Sequence, residues 1–281
     1  RSVPRTAAEA EEMKENDRME PQNRLTQSGY RLVFSDEFDA GNLDTTKWLP
    51  VYLPQWSSTE RSAARFRISD GALSLYIADD QTQWCPEFDG KNKCSSLQTG
   101  LFSGPLGSEF GQHRFKSGLV VREPQETVRT YVPTYGYFEL RAKANIGPRN
   151  LVALWMIGFE DQPHRSGEIT IMEIFGSKVS ENGVVLGHGI KPVNDPKLRP
   201  EFYEPVFALD LTEYHIFGAE WTPDGVGFYL DGDKIGWTLQ SPNYPMQFML
   251  NIYDLPTLTE QPPTAEPSFT IDYFRGFALI E

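Results

Sequence analysis

The stretch YGYFELRAKA (135–144) sets Phe138, Leu140 and Ala142 on one face of an extended chain and Glu139, Arg141 and Lys143 on the other. That period of two is the pattern of a half-buried strand. Short segments rich in Val, Ile, Phe and Tyr recur at 30–34, 72–78, 151–158, 184–190, 214–221, 226–231, 245–252 and 269–280, separated by Gly, Pro, Asp and Asn. Asp231-Gly232 between two of them is a hairpin signal. Many short strands with almost no helical pattern predict an all-β fold, a sandwich or jelly roll of two antiparallel sheets.

The remaining text bounds what such a sandwich can do. At 281 residues, one large domain over 30–281 is expected, preceded by a leader over 1–29. The only good helix candidate lies in that leader, TAAEAEEMKENDRMEP (6–21), with Thr6 and Glu9 at capping-box spacing and Pro21 closing it. Its few apolar positions suit a solvated segment. The longest apolar run, Leu151 to Phe159, is far short of the roughly 18 residues needed to cross a bilayer, so no membrane partner is expected. With 26 basic and 39 acidic residues, the net charge of −13 opposes encounter with nucleic acid and leaves a neutral polymer unaffected.

Residues 80–116 break the strand rhythm, with Trp84, Phe88, five glycines and both cysteines, and read as a long irregular loop. Loops of this length in compact domains usually carry function or disorder, and the aromatics favour function, with Trp84 as a stacking platform at the edge of a cleft. Cys85 and Cys94 lie nine positions apart in it; a disulfide closing the loop would imply an oxidising compartment, whereas two free thiols suit cytosol equally. The chain starts at Arg1 without a signal-like apolar stretch, so any export signal has been removed or was never there. A secreted or extracytoplasmic protein is the expectation, with the cytoplasm left open.

The sharpest local feature is GEITIMEIF (167–175). Glu168 and Thr170 share one face of a strand, and strict alternation would turn Glu173 into the apolar face, where a carboxylate is costly. One inserted residue, a β-bulge between Thr170 and Glu173, would bring both glutamates to the same side. Two carboxylates on one strand suit a retaining glycosidase, whose carboxyl groups stand roughly 5–5.5 Å apart: one attacks the sugar, the other protonates the leaving oxygen and later activates water. The plain alternative is two solvated surface glutamates.

At this point the segment resembles the signature of the family 16 glycoside hydrolases, Glu-x-Asp-x-x-Glu in its bulged form. Further phrases resemble that family in order along the chain: LVFSDEFDAGNLDTTKW (32–48), FRISDGALSLYI (66–77), YGYFELRAKA (135–144), ALWMIG (153–158), HIFGAEWTPDGVGFYLDG (215–232), PMQFMLNIYDL (245–255) and IDYFRGF (271–277). The resemblance implies a concanavalin-like jelly roll with a concave substrate cleft and retaining chemistry. It matches Glu168 to the nucleophile, Glu173 to the acid/base, Trp155 to the tryptophan beside the cleaved bond, and His188 to a histidine near the acid/base. A core aromatic and a structural histidine are the plain alternatives for the last two. Phe175 joins Trp155 and Trp84 as a substrate-binding aromatic. Arg65 stands where glucan-cleaving relatives often have a cleft-facing asparagine, which leaves the sugar open.

Thr170 replaces the family aspartate between the glutamates; a hydroxyl donates a hydrogen bond but carries no charge, so weaker activity or a lower pH optimum is expected. The chemistry needs no cofactor. The resemblance also implies a structural calcium held by Glu37, Gly71 and Asp272, hard oxygen donors that suit it. The expected function is hydrolysis of internal bonds of a β-linked polysaccharide, first β-1,3-glucan, by a monomer. Enzymes acting on galactans, agar or carrageenan, a glycan-binding protein without turnover, and a transglycosylase are the alternatives.

Overall fold

Two antiparallel sheets face each other across an apolar core in the computed structural model, which describes residues 25, 26 and 28–280. The helix expected at 6–21 lies outside the described residues. The first sheet has eight strands. Seven of them run in the order β17 (Asp233–Thr238), β16 (Gly225–Leu230), β15 (His215–Thr222), β7 (Gly136–Asn145), β19 (Ser268–Leu279), β3 (Ala72–Tyr76) and β2 (Phe66–Ser69), and β1 (Tyr30–Asp36) also pairs with β19. The second has six: β13 (Glu201–Tyr203), β12 (Gly187–Lys191), β9 (Glu168–Phe175), β8 (Asn150–Gly158), β18 (Met246–Asp254) and β4 (Lys93–Gln98). Short strands β5 (Gly100–Leu101) and β6 (Val128–Arg129) pair with each other, and β10 (Val179–Ser180), β11 (Gly183–Val185) and β14 (Val206–Phe207) form a small third sheet.

Phe138, Leu140 and Ala142 of β7 enter the inter-sheet core and meet Phe248 and Leu250 of β18 and Phe274 of β19. Phe138 and Phe274 both pack on the Phe248 ring at 4.8 Å, and aromatic edges at that distance hold the sheets in one register. The other face of β7 is less uniform than the alternation predicts. Arg141 and Lys143 lie over the Tyr214 ring, whereas Glu139 is buried beside Arg275. The Asp231-Gly232 hairpin is present: both residues have positive φ, and Leu230 pairs with Asp233 across the two-residue turn.

The second sheet is covered on both faces at its centre, and every residue of β8 and β18 is buried. Val152, Leu154 and Met156 face the inter-sheet core, while Leu151, Ala153, Trp155 and Ile157 face a second apolar layer containing Tyr52, Trp56, Trp84, Leu119 and Val121. This explains the region read as an irregular loop. Residues 80–116 hold a single helical turn, α1 (Pro86–Asp89), and then β4, an edge strand paired to β18. KCSSLQ shows no alternation because both its faces lie under cover. Two of its polar side chains bond locally, Ser95 Oγ donating to the Tyr76 carbonyl at 2.8 Å and Gln98 Nε2 to Gly100 O at 2.6 Å, while the buried Ser96 hydroxyl has no partner among the described residues.

The disulfide is absent, which corrects that reading of Cys85 and Cys94. Both thiols are free and buried. Alternation on β4 turns Cys94 toward β18, where Asn251 Nδ2 donates to its sulfur at 3.7 Å; Cys85 Sγ donates to Trp56 O at 3.5 Å. The loop is closed without it by Trp84 N donating to Asn92 O at 3.2 Å and by Asp89 accepting from both Trp84 Nε1 and Asn92 Nδ2. The cysteines therefore give no argument for an oxidising compartment. Among the described residues, no helix is long and apolar enough to cross a membrane.

Candidate active site

The bulge is where the spacing requires it. Between β8 and β9 the pairing runs Leu154 with Met172 and then Trp155 with Thr170, leaving Ile171 as the extra residue. Ile169, Met172 and Ile174 remain in the inter-sheet core, and Glu168 and Glu173 both line a cavity on the outer face of the second sheet. The volume of the cavity is about 260 Å³. Trp155 from β8, Lys191 from β12, Tyr253 from β18, and Tyr52, Trp84, Asp89, Asn92 and His113 from the connecting segments complete its walls.

Glu168 is the deeper carboxylate, with 7% of its side chain exposed against 18% for Glu173. Thr170 Oγ1 donates to Glu168 Oε1 at 2.6 Å, and Lys191 Nζ meets the same oxygen at 3.0 Å. Both donors converge on one oxygen, Glu168 Oε1. Lys191 Nζ also donates to Glu173 Oε2 at 3.1 Å. Two oxygens on one ammonium at 3.0 and 3.1 Å are at most about 6 Å apart, which is compatible with the roughly 5–5.5 Å between the carboxyl groups of retaining glycosidases. Burial pulls the Lys191 pKa down, but the two carboxylates outweigh it and the net shift is upward, so the ammonium stays charged.

Trp155 lines the cavity with both glutamates. Its indole N–H donates to Asn251 Oδ1, its ring packs edge-on against His113 at 4.9 Å, and it lines the cavity two residues along β8 from Ala153. Trp84 also lines the cavity but is only 1% exposed, with its indole N–H donating to Asp89 at 2.5 Å. It is a fixed wall and not the exposed platform expected of it. Residues 80–116 do flank the cleft, through Trp84, Asp89, Asn92, His113 and Phe115.

Three expected positions fall elsewhere. His188 points into the interior, with Phe228 of β16 at 5.1 Å and its Nδ1 3.2 Å from Leu186 O, because β12 presents Gly187, Gly189 and Lys191 to the cleft. Burial lowers its pKa, so it is a neutral structural histidine. Arg65 is half-exposed, 3.8 Å from Asp80, outside the cavity lining. Phe175 lies on the cleft-side layer one step beyond Glu173, half-buried, with Lys178 over its ring, and does not line the cavity.

The calcium donors do not fit an ion as arranged. Glu37 accepts from Arg275 through Nε and Nη2, both at 2.9 Å, and buried Asp272 pairs with Arg141 Nη1 at 2.6 Å. Gly71 completes the Asp70-Gly71 turn between β2 and β3, with φ of 54° and 64°. Two guanidinium groups already neutralise the carboxylates. Among the described residues, no group of three or more His, Cys, Asp or Glu could hold a metal.

Lys191 and His113 are among the wall residues that escaped the sequence reading. Lys191 is legible in hindsight, on the same alternation as Gly187 and Gly189, opposite Glu168 in the β9–β12 pair. His113 is not, since its position depends on how a long connection folds. Its backbone N–H donates to Glu160 Oε1 at 2.6 Å, and burial lowers its ring pKa, so it enters the site neutral.

Comparison with known proteins bears on this geometry. Residues 125–275 match the model of "Glycosyl hydrolases family 16". The glucan endo-1,3-beta-glucosidase A1 of Niallia circulans is 25% identical over 213 residues, covering 73% of this chain and 29% of that protein. A GlcNAcα1-4Gal-releasing endo-β-galactosidase structure from Clostridium perfringens is 34% identical, with a TM-score of 0.78 over 90% of this chain and 63% of that one. The laminarinase catalytic domain from Thermotoga petrophila RKU-1 superposes with a TM-score of 0.61 at 19% identity over 90% of this chain and 99% of that one, which speaks for the fold. The chain spans under half the length of the curated relatives it matches. Matched over more than half its length by the family model, and with the jelly-roll sandwich those structures share, the chain belongs to glycosyl hydrolase family 16.

Proposed function

We propose that this chain is a retaining endo-glycosidase that cuts internal β-linkages of a polysaccharide, with Glu168 as nucleophile and Glu173 as acid/base. The observation that carries this is the pair of carboxylates held on one ammonium at 3.0 and 3.1 Å in a cavity walled by Trp155, Tyr52 and Tyr253. In the first half-reaction the Glu168 carboxylate attacks the anomeric carbon, the bond to the leaving oxygen breaks, and Glu173 gives that oxygen its proton. In the second, Glu173 takes a proton from water, the water oxygen bonds the anomeric carbon, and the ester to Glu168 breaks. The deeper seat of Glu168 suits the group that forms the ester; the more open seat of Glu173 suits the one that trades protons with leaving group and water.

The first substrate is β-1,3-glucan, supported by the glucanase relatives. A second reading, cleavage at a β-galactoside, has its own support in the 34% identity to an endo-β-galactosidase across nine-tenths of the chain. Purified protein assayed against laminarin, mixed-linkage glucan, agarose, carrageenan and galactose-containing glycans distinguishes them by release of reducing ends. Retention of anomeric configuration is expected by NMR, and Glu168→Gln should lower turnover at least ~10³-fold. Binding without release from any of these substrates would replace the enzyme reading by a lectin-like one.

A further inference from the structure

Lys191 has no part in the two-carboxylate mechanism as usually drawn, yet it is within 0.1 Å of equidistant from both carboxylates: 3.0 Å from Glu168 and 3.1 Å from Glu173. Its place is built. The cleft face of β12 reads Gly187, Gly189, Lys191, and the absent side chains let Phe202 of β13 lie over the strand, since a Cβ at Gly187 would come within 2.9 Å of that ring. The ammonium rests 4.6 Å from the Phe202 centroid. An aromatic face there adds cation–π attraction and limits where the ammonium can go. The ionisable groups around it are Glu168 and Glu173 of β9 and His113 of the facing loop. Glu201 on β13 is turned away to Thr238 and Gln240.

We propose that Lys191 is a positioning residue of the retaining reaction, a fixed cation that stays paired with the site's negative charge as it passes from Glu168 to Glu173 and back. This rests on the two-carboxylate reading above. Before bond cleavage Glu168 is the anion and Glu173 carries the proton. After it, Glu168 is a neutral ester and Glu173, having given its proton to the leaving oxygen, is the anion. Water then returns a proton to Glu173 and the ester bond breaks, restoring the first state. One net negative charge is conserved throughout, and it moves between two oxygens that share one ammonium. A cation that serves both states without moving requires no reorganisation during the charge shift, the condition under which preorganised electrostatics is most effective. Thr170 fits the same scheme by binding Glu168 Oε1 without adding a second anion near the ammonium.

The test is Lys191→Met, Lys191→Gln and Lys191→Arg on the full chain, with kcat and KM measured across pH on whichever substrate the wild type cleaves. Methionine keeps the stem over Phe202 and removes the charge; it should lower kcat about 10²-fold with KM within a few-fold. Both limbs of its kcat/KM profile should move to higher pH by about one unit, because losing a nearby cation favours the proton-bound forms. Arginine should recover most of the rate and return the limbs. A methionine profile that superimposes on wild type, or an arginine variant no better than methionine, overturns the proposal. Should the methionine variant lose its melting transition, glutamine gives the same comparison at this partly exposed position. A wild type inert on every substrate fells the two-carboxylate reading and this one with it; an active wild type, a dead Glu168→Gln and an unaltered Lys191→Met fell this one alone.

Discussion

Thr170 stands between the two glutamates on β9, and its hydroxyl donates to Glu168 Oε1 at 2.6 Å. A hydrogen bond to an ionised acceptor contributes about 1.5–3 kcal/mol, so Thr170→Val should lower kcat/KM roughly 10- to 100-fold. The melting temperature should change little, since valine fills nearly the same volume. Undiminished turnover would mean that Lys191 alone orients the nucleophile. The pair of glutamates is legible in its spacing, and Trp155 only through the resemblance of ALWMIG to the family. His188 faces the core because β12 keeps strict alternation, and the extra residue that shifts its pairing between Gly187 and Gly189 belongs to β9. Parity is reset on β9 alone, so Gly187, Gly189 and Lys191 share the cleft face of β12 and the histidine faces the core.

The bulge in β9 is the element on which the chemistry depends. Deleting Ile171 shortens the spacing of the glutamates from five to four, so that strict alternation keeps Glu168, Thr170 and Glu173 on the cleft face and Met172 and Ile174 in the core without a bulge. The deletion variant should fold and retain part of its activity; a folded variant without detectable turnover would show that the bulge also sets the separation of the two carboxylates. The connection after β8 carries a second device. Glu160, at φ 60°, accepts the backbone N–H of His113 and is pushed up to about 8 by burial. Between roughly pH 4.3, its unfolded value, and 8 the folded chain holds a proton that the unfolded chain has released, so this contribution is complete at low pH and lost as pH rises through 8. Glu160→Gln keeps the acceptor and removes the charge. Its melting temperature should exceed wild type by a few degrees at pH 8.5 and converge with it near pH 4.5. A difference independent of pH would remove Glu160 titration as the cause. Strands such as β7 and β19 were legible because one face meets the core, whereas β4 was read as loop because cover on both sides erases alternation.

The molecule as a whole is fastened on its convex side by arginine. Arg275, 3% exposed, bridges Glu37 and buried Glu139, and Arg141 holds Asp272. Removing one partner of a buried pair typically costs about 3–5 kcal/mol, and Arg275→Met should show a loss of that order in denaturant midpoints. With guanidinium groups in place, millimolar calcium and excess chelator should both leave the melting temperature unchanged; a rise with calcium would mean that the arginines yield to the ion. Reductant should leave it unchanged too, and two thiols should titrate only after denaturation, because Cys85 and Cys94 are free and buried.

Sequence by itself determined the two-sheet sandwich and the pair of glutamates, because alternation, turn residues and a five-residue spacing are local facts that survive without knowledge of what lies across the sheet. It could not place Lys191 beside both carboxylates, bring His113 into the wall, leave the thiols apart, or set arginines against the carboxylates that matched a calcium site. Those outcomes depend on which side chains from distant segments meet once the strands are paired. A contact between residues far apart in the chain leaves no periodic trace in either segment, and only the folded packing specifies it.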